Sequence, residues 1–126
     1  MHLIRMEEIS KVQVIVEGIE TDKGNIRLAF YDSPETFTEK PIKTAEVPVN
    51  GKSKIETEIE IPYGAYAIAV YHDINSNGKL DTKIFGIPSE PYGFSNDYRP
   101  TMSKPDFEDA LINIEKPTMT VRLKVE

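Results

Sequence analysis

A strict two-residue alternation between residues 55 and 61 constrains this chain more than any other feature. One face of the segment carries Ile55, Thr57, Ile59 and Ile61, and the other carries Glu56, Glu58 and Glu60. A β-strand places successive side chains on opposite faces, whereas a helix repeats every 3.6 residues. We therefore predict a strand with one buried face. Its glutamate row is predicted to be a solvated outer surface and not a metal ladder, because aligned carboxylates repel one another.

The same alternation predicts further strands. Apolar or alternating segments occur at residues 12–17, 26–31, 44–49, 65–72, 107–114 and 119–125. Turn residues at positions 21–24 (TDKG) and at Asn50-Gly51 predict two hairpins between consecutive strands. The segment from residue 65 to 72 is apolar on both faces, which predicts a central strand covered by a loop or another subunit. The proline-rich stretch that follows it predicts a long irregular connection.

No segment sustains a helical period, so the predicted fold class is all-β. We expect a single antiparallel β-sandwich of about seven strands, with an immunoglobulin-like or transthyretin-like Greek-key arrangement. A chain of 126 residues has the usual length of one domain. Residues 12–126 are assigned to the sandwich. Residues 1–11 are charged and aperiodic, and they are assigned to a flexible N-terminal tail or remnant.

Charge and residue usage exclude several classes of function. The net charge is −6 and the 15 Lys and Arg residues are scattered, so neither nucleic acid nor an anionic membrane surface is a predicted partner. No apolar run approaches the roughly 18 residues of a membrane span, so we predict no membrane insertion. The lack of cysteine excludes disulfides, thiolate metal sites and cysteine nucleophiles.

The loop of residues 73–81 is the most chemically specific motif. Asp73, Asn75 and Asn77 have D-x-N-x-N-G spacing. Gly78 permits the sharp turn that brings their side-chain oxygens to one point. Hard oxygen ligands at this spacing are typical of Ca²⁺, which we predict as the cofactor.

Lys79 and Asp81 would complete the ligands of this loop, through a backbone carbonyl and a carboxylate. The pattern departs from an EF-hand at its twelfth position, where Ile84 replaces the bidentate glutamate. Glu90 is the first candidate for the missing carboxylate and Asp97 the second. We predict a weak structural site, with a dissociation constant of about 10⁻⁴ to 10⁻³ M. The alternative is an ordinary turn, because turns are rich in Asp, Asn and Gly.

Three segments carry a family resemblance: residues 64–81 (GAYAIAVYHDINSNGKLD), 85–96 (FGIPSEPYGFSN) and 105–110 (PDFEDA). They resemble the bacterial domain of unknown function 2141 (DUF2141) family, and the likeness extends from Val12 to Val125. It implies a β-sandwich that usually follows an export signal in Gram-negative bacteria, and hence a periplasmic or extracellular location, with no established activity. The chain departs from the family in lacking that signal and in carrying Pro91 where a small residue is common.

A hydrolase is an alternative function, with His72 as base, Ser95 as nucleophile and Asp73 or Asp97 as orienting acid. However, adjacent strand residues such as His72 and Asp73 point to opposite faces, and Ser95 lacks a G-x-S-x-G motif. We therefore predict no catalytic residue, and expect His72 to form a hydrogen bond beneath the loop.

Tyr92, Phe94 and Tyr98 lie close together in the irregular segment. Aromatic residues of this kind suit contact with a carbohydrate ring or a small apolar ligand. They also commonly fold back to cap the open end of a sandwich, and the sequence leaves both alternatives open.

The leading hypothesis is a non-enzymatic, exported binding or accessory domain, in which Ca²⁺ orders the segment that presents Tyr92 and Phe94. Its partner would be a carbohydrate, a small apolar ligand or a protein, and an exposed edge strand would allow a homodimer. The competing hypotheses are a small enzyme that uses His72 with Asp73 or Ser95, and a purely structural sandwich without a ligand.

Overall fold

Two β-sheets packed face to face form the fold in the computed structural model, which describes residues 8–78, 90–100 and 105–126. This arrangement confirms the predicted all-β sandwich. The first sheet has three strands in the order β4-β1-β8, which are β1 (Ile9–Glu17), β4 (Ile55–Pro62) and β8 (Thr118–Lys124). β1 pairs antiparallel with β4 and parallel with β8. Within these ranges the structure contains no helix with the length and hydropathy of a membrane span.

The second sheet has five strands, which are β2 (Asn25–Tyr31), β3 (Lys43–Pro48), β5 (Gly64–Asp73), β6 (Tyr92–Phe94) and β7 (Leu111–Ile114). β2 lies between β3 and β5, and all of these pairings are antiparallel. β6 and β7 share the other edge of β5, at residues 69–71 and 64–67 respectively. β5 is therefore the central strand that its apolar sequence predicts. β6 lies within the stretch predicted to be irregular, and a 3₁₀ turn at Phe107–Ala110 precedes β7.

The core between the sheets follows from the alternation within each strand. Its buried side chains include Val12, Val14 and Val16 of β1, Ile26, Leu28 and Phe30 of β2, Ile55, Ile59 and Ile61 of β4, and Tyr66, Ile68 and Val70 of β5. Burial of this apolar surface is the main favourable contribution to folding. The glutamates of β4 are exposed on the outer face, which confirms the solvated surface predicted for them.

A second hydrophobic cluster lies on the opposite face of the five-stranded sheet, with Phe37 at its centre. Its ring centroid lies 5.4 Å from that of Tyr31, 5.6 Å from that of Phe94 and 5.7 Å from that of Phe107. Phe37 thereby holds residues 32–42, which connect β2 to β3, against the sheet. This connection is part of the loop cover predicted for the second face of β5.

Both predicted hairpins are wrong, although the Asn50-Gly51 turn has the expected conformation. Asn50 and Gly51 have φ values of 49° and 75°, in the left-handed region that this dipeptide favours. However, β3 pairs with β2 and β4 pairs with β1, so the turn carries the chain from one sheet to the other. Residues 18–24 make the same crossing between β1 and β2. Turn chemistry specifies a reversal, whereas burial of the apolar faces decides the partner.

The N-terminal boundary of the sandwich lies before the one predicted. β1 begins at Ile9, so three residues assigned to the tail lie in a strand. Ser10 is fully buried, and the Lys11 N–H donates to the Pro117 carbonyl oxygen at 2.9 Å. Residues 1–7 of the predicted tail lie outside the described residues.

The two sheets meet where β6 lies against the end of β8. The Tyr92 N–H donates to the Glu126 carbonyl oxygen at 3.2 Å, and the Glu126 N–H donates to the Tyr92 carbonyl oxygen at 3.1 Å. Between these bonds, a Cβ atom at Gly93 would overlap the Lys124 carbonyl oxygen. A residue without a side chain is therefore required for the sheets to approach at this point.

We expect Gly93→Ala to lower the free energy of unfolding by about 3 kcal/mol, because the added methyl group would push the two backbones apart. Gly51→Ala is the matched control. Its φ of 75° is strained for alanine, but the nearest atom to the added methyl group, Asp22 Cβ, is 3.9 Å away, so a loss of about 1 kcal/mol is expected. Urea denaturation measures both values. Equal losses would contradict the role assigned to the close approach at Gly93.

Candidate functional site

A groove of about 570 Å³ lies on the outer face of the five-stranded sheet. Its floor is a row of small side chains that the strand register places side by side. Ala29 of β2 lies opposite both Thr44 of β3 and Ala69 of β5. Phe94 lies opposite Ala69 and closes the row at β6. The small side chains leave open space above the sheet, which we call the outer-face groove.

One wall of the outer-face groove is the neighbouring row of the same sheet. Glu46 pairs with Arg27, Arg27 with Tyr71, and Tyr71 with Tyr92. Each of these residues is two positions from a residue of the floor row, so it stands on the same face of its strand. This wall therefore carries two phenol rings and one pair of opposite charges.

The other wall is formed by Tyr31 together with Thr38 and Pro41 from the connection between β2 and β3. Thr38 has a φ of 69°, which is uncommon for a β-branched residue. The burial of the adjacent Phe37 holds it there and offsets the strain. Burial is also the main cause of the raised pKa of Tyr31. This wall is therefore fixed by packing.

Arg27 links the outer-face groove to Asp73. Its Nε donates to Asp73 Oδ2 at 2.8 Å, and its Nη1 lies 3.1 Å from Glu46 Oε2. Asp73 is fully buried, and burial alone would raise its pKa. The hydrogen bonds from Arg27 and from the backbone N–H groups of Gly78 and Asn77 outweigh burial, so the pKa of Asp73 lies below its ordinary value. Asp73 is thus a charged carboxylate with a structural role.

The residues after Asp73 form a hydrogen-bonded turn around its carboxylate. Oδ1 of Asp73 accepts from the Asn77 N–H at 3.1 Å, and Oδ2 accepts from the Gly78 N–H at 2.8 Å. The same Asn77 N–H also donates to Asn75 Oδ1 at 3.2 Å. Side-chain oxygens in this arrangement replace the backbone acceptors that a regular element would provide. The turn is therefore closed by its own Asp and Asn residues.

Neighbouring segments fix this turn from outside. The nearly buried Glu90 accepts from the Ile74 N–H through Oε2 at 2.8 Å, and Asn25 Nδ2 donates to Ser76 Oγ at 3.0 Å. At Gly24 a Cβ atom would overlap the backbone of residues 73 and 74. The turn is thereby held against the start of β2.

The structure describes four of the six residues predicted to bind Ca²⁺, which are Asp73, Asn75, Asn77 and Glu90. The other two, Lys79 and Asp81, lie outside the described residues. Ile84, at the twelfth position of the motif, also lies outside them. The first three share one turn, and Glu90 contacts it through Ile74. Glu90 precedes β6 and Asp97 follows it, so the two residues lie beyond opposite ends of this strand. Within the described ranges, no group of three or more His, Asp or Glu side chains is arranged to hold a metal. The calcium site stays a prediction. In the described residues, the positive charge beside Asp73 is that of Arg27.

The residues considered for catalysis lie apart. His72 is fully buried, and its Nε2 lies 2.6 Å from the Lys23 carbonyl oxygen, so this nitrogen is the donor. Its Nδ1 makes no hydrogen bond within the described part of the chain. Asp73 lies on the other face of β5, beside Arg27. The Ser95 hydroxyl accepts from the Ile68 N–H at 3.0 Å and contacts the Ala110 carbonyl oxygen.

Tyr92, Phe94 and Tyr98 form a packed row of rings. The centroids of Tyr92 and Phe94 are 6.0 Å apart, and those of Phe94 and Tyr98 are 5.7 Å apart. Tyr92 and Phe94 line the outer-face groove, whereas Tyr98 lines a smaller pocket of about 240 Å³ with Arg99. The Arg99 guanidinium lies 4.3 Å from the centre of the Tyr92 ring. These residues therefore cover the sheet and also provide part of the groove wall.

Residues 14–122 match the model of a family described as uncharacterized protein conserved in bacteria (DUF2141). The chain belongs to this family. The match covers nearly the whole chain, which confirms the resemblance predicted from its three sequence segments. No curated protein and no solved structure gives a significant match. Membership of the DUF2141 family assigns no activity to the chain.

The residue pattern does not reveal the floor of the outer-face groove or the wall residues Arg27 and Tyr71. One signal was available, because Ala29 and Ala69 fall on the faces of their strands that are turned away from the core. Small residues at such positions leave a depression only if the strands align them. That alignment depends on pairing between distant parts of the chain, which the residue pattern does not specify.

We expect Asp73→Asn to lower the free energy of unfolding at pH 7 by about 2–3 kcal/mol, because an amide nitrogen would face the N–H donors of Arg27 or Gly78. The pKa of Asp73 is lowered on folding, so its charge stabilises the native state above about pH 4. This contribution is lost as the pH falls through the lowered pKa. The difference between wild type and variant should therefore shrink between about pH 5 and pH 2 in urea titrations.

The matched control for this experiment is Asp22→Asn, which changes an exposed carboxylate in the same way. It should alter the free energy of unfolding by no more than about 0.5 kcal/mol at either pH. A loss in Asp73→Asn that is the same at pH 7 and pH 2 would refute the electrostatic role of Asp73.

The predicted calcium site can be tested by thermal unfolding with added metal. With a dissociation constant of about 1 mM, about 10 mM Ca²⁺ should stabilise the protein by about 1.4 kcal/mol. About 10 mM Mg²⁺ is the control for ionic strength, because Mg²⁺ retains its waters and suits this loop poorly. The Ca²⁺ effect should disappear in Asp81→Asn. Equal melting temperatures in the two salts would rule out a site of this affinity.

Proposed function

We propose that this protein is a non-catalytic binding domain, whose ligand is a small molecule with a flat apolar body that lies in the outer-face groove. One observation carries this proposal. The register of β3, β2 and β5 aligns Thr44, Ala29 and Ala69 into a depression between aromatic walls. A sheet face without a ligand or partner has no need for such a depression, since larger side chains would cover its floor.

The dimensions and chemistry of the outer-face groove suit a small molecule. Its volume of about 570 Å³ falls within the range of about 300–1,000 Å³ that ligand pockets occupy. The rings of Tyr31, Tyr71, Tyr92 and Phe94 provide apolar surface, and Arg27 and Glu46 provide polar groups at one wall. A few polar groups in an apolar setting fix the orientation of a ligand.

Both walls are held in place by interactions within the protein. Phe37 anchors one wall through three aromatic contacts, and Asp73 anchors Arg27 in the other. A preformed site loses less conformational entropy on binding than a mobile one. The outer-face groove therefore favours a rigid ligand that fits the space as it stands.

The alternative of a hydrolase has less support. Acyl transfer needs a nucleophile and a base in contact, at a surface that a substrate can reach. His72 is buried and bonded to a backbone carbonyl, and the Ser95 hydroxyl bonds to the backbone. Asp73 is paired with Arg27. Contacts within the fold therefore explain the positions of His72, Ser95 and Asp73.

The purely structural alternative leaves the depression over Ala29 and Ala69 unexplained.

A homodimer through an edge strand, and a periplasmic or extracellular location, stay predictions. A carbohydrate would also contact the aromatic walls. The alanine floor, however, offers few hydrogen-bonding groups for the hydroxyls of a carbohydrate, so an apolar ligand is favoured.

Indole serves as a neutral aromatic probe for the outer-face groove. Nine heavy atoms at about 0.3–0.5 kcal/mol each imply a dissociation constant in the millimolar range. In an NMR titration we expect the largest shifts at the amides of Ala29, Ala69 and Tyr71. Thr44→Trp should abolish these shifts, because the new ring fills the space above the floor.

The matched control is Thr120→Trp. Thr120 is an exposed strand threonine on the outer face of the three-stranded sheet, so the variant adds the same ring at a distant surface. It should bind indole as the wild type does. If indole shifts spread over both sheets, or if Thr44→Trp binds as well as Thr120→Trp, the proposed site is wrong.

A further inference from the structure

The charges around the outer-face groove are unequal. The guanidinium of Arg27 lies within ion-pair distance of two carboxylates, those of Asp73 at 2.8 Å and Glu46 at 3.1 Å. These three groups together carry a net charge of −1. Asp73 is fully buried, whereas the Glu46 side chain is 47% exposed and faces the groove. The exposed carboxylate is therefore that of Glu46, which lies beside an Arg27 side chain that is 28% exposed.

A third carboxylate adds to this field. Glu90 is nearly buried, and it lies against the same turn as Asp73. Burial is the main cause of the raised pKa of Tyr71, while Arg27 acts to lower it and Asp73, Glu90 and Glu46 act to raise it. The charges of Arg27, Asp73, Glu90 and Glu46 are thus all close enough to act on the phenol of Tyr71 in the groove wall. Three negative charges against one positive charge give these four groups a net charge of −2.

An aromatic ring at the opposite edge of this wall already accepts a cation. The Arg99 guanidinium lies 4.3 Å from the centre of the Tyr92 ring, on a residue that lines the outer-face groove. An aromatic ring attracts a cation through the negative potential of its face. Tyr71 lies opposite Tyr92 in the same row and faces the groove. A phenol ring, that of Tyr71, and the exposed carboxylate of Glu46 therefore flank Arg27 in the same wall.

We infer that the ligand of the outer-face groove is an organic cation, with its flat apolar body over Ala29 and Ala69 and its ammonium or guanidinium head at the wall that carries Glu46 and Tyr71. This inference rests on the proposed function and names the class of its ligand. An anionic ligand would have to approach two carboxylates that already share one guanidinium. A neutral ligand would leave the exposed charge of Glu46 without a partner from the ligand.

Three probes with the same ring separate the effect of charge from that of shape: benzylammonium, benzyl alcohol and benzoate. NMR titrations of the full chain at low salt should give the tightest binding for benzylammonium, about fivefold tighter than benzyl alcohol, and the weakest for benzoate. The preference should decrease at about 0.5 M NaCl, because the head group is partly solvated.

Glu46→Gln removes the exposed charge and keeps the shape of the side chain. In this variant benzylammonium and benzyl alcohol should bind within about twofold of each other. Glu58→Gln is the matched control on the outer face of the other sheet, and it should retain the preference of the wild type. Thermal unfolding of both variants verifies that they are folded.

The possible outcomes distinguish the ligand class from the site itself. If none of the three probes binds at the groove, the proposed function is wrong, and the inference falls with it. If benzyl alcohol and benzylammonium bind equally to the wild type, the groove is a binding site but its ligand class is wrong. If benzoate binds most tightly, Arg27 is the anchor and the inference is overturned. A preference that survives Glu46→Gln also overturns it.

Discussion

The ion pair between Arg27 and Asp73 holds two features of the molecule together. Arg27 stands in a wall of the outer-face groove, and Asp73 closes the turn that follows β5. A buried carboxylate is strongly unfavourable without a counter-charge, so the turn depends on a residue of another strand. The position of Arg27 depends in turn on the carboxylate that holds its Nε. The shape of the groove and the conformation of the turn therefore have a common determinant.

Alternation was sufficient to predict the strands and the sandwich, because a period of two and a buried core follow from the same geometry. It was not sufficient to predict which strands pair. Asn50 and Gly51 adopt the expected turn, yet the strands on either side of it lie in different sheets. Alternation does not predict the outer-face groove for the same reason, since its floor exists only when Thr44, Ala29 and Ala69 are brought into one row.

The loop that begins at Asp73 illustrates a related limit. Asp and Asn residues at alternate positions direct oxygens to one point, and either a metal or backbone N–H groups can satisfy those oxygens. In the described part of this turn, the carboxylate of Asp73 is bonded to backbone N–H groups and to Arg27, which lies 46 positions away in the chain. A local motif carries no information about a residue at that distance.

The parallel pairing of β1 with β8 has a mechanical consequence. Residues 11–17 lie beside residues 118–124, and bonds from Lys11 to Pro117 and from Val125 to Glu17 extend the ladder at both ends. An ion pair between Glu17 and Arg122, at 3.0 Å, crosses it as well. Tension applied through the chain before β1 and after β8 pulls two parallel strands in opposite directions along their length. All the bonds of the ladder then bear load together in shear, so the sandwich resists stretching along the direction of its first and last strands.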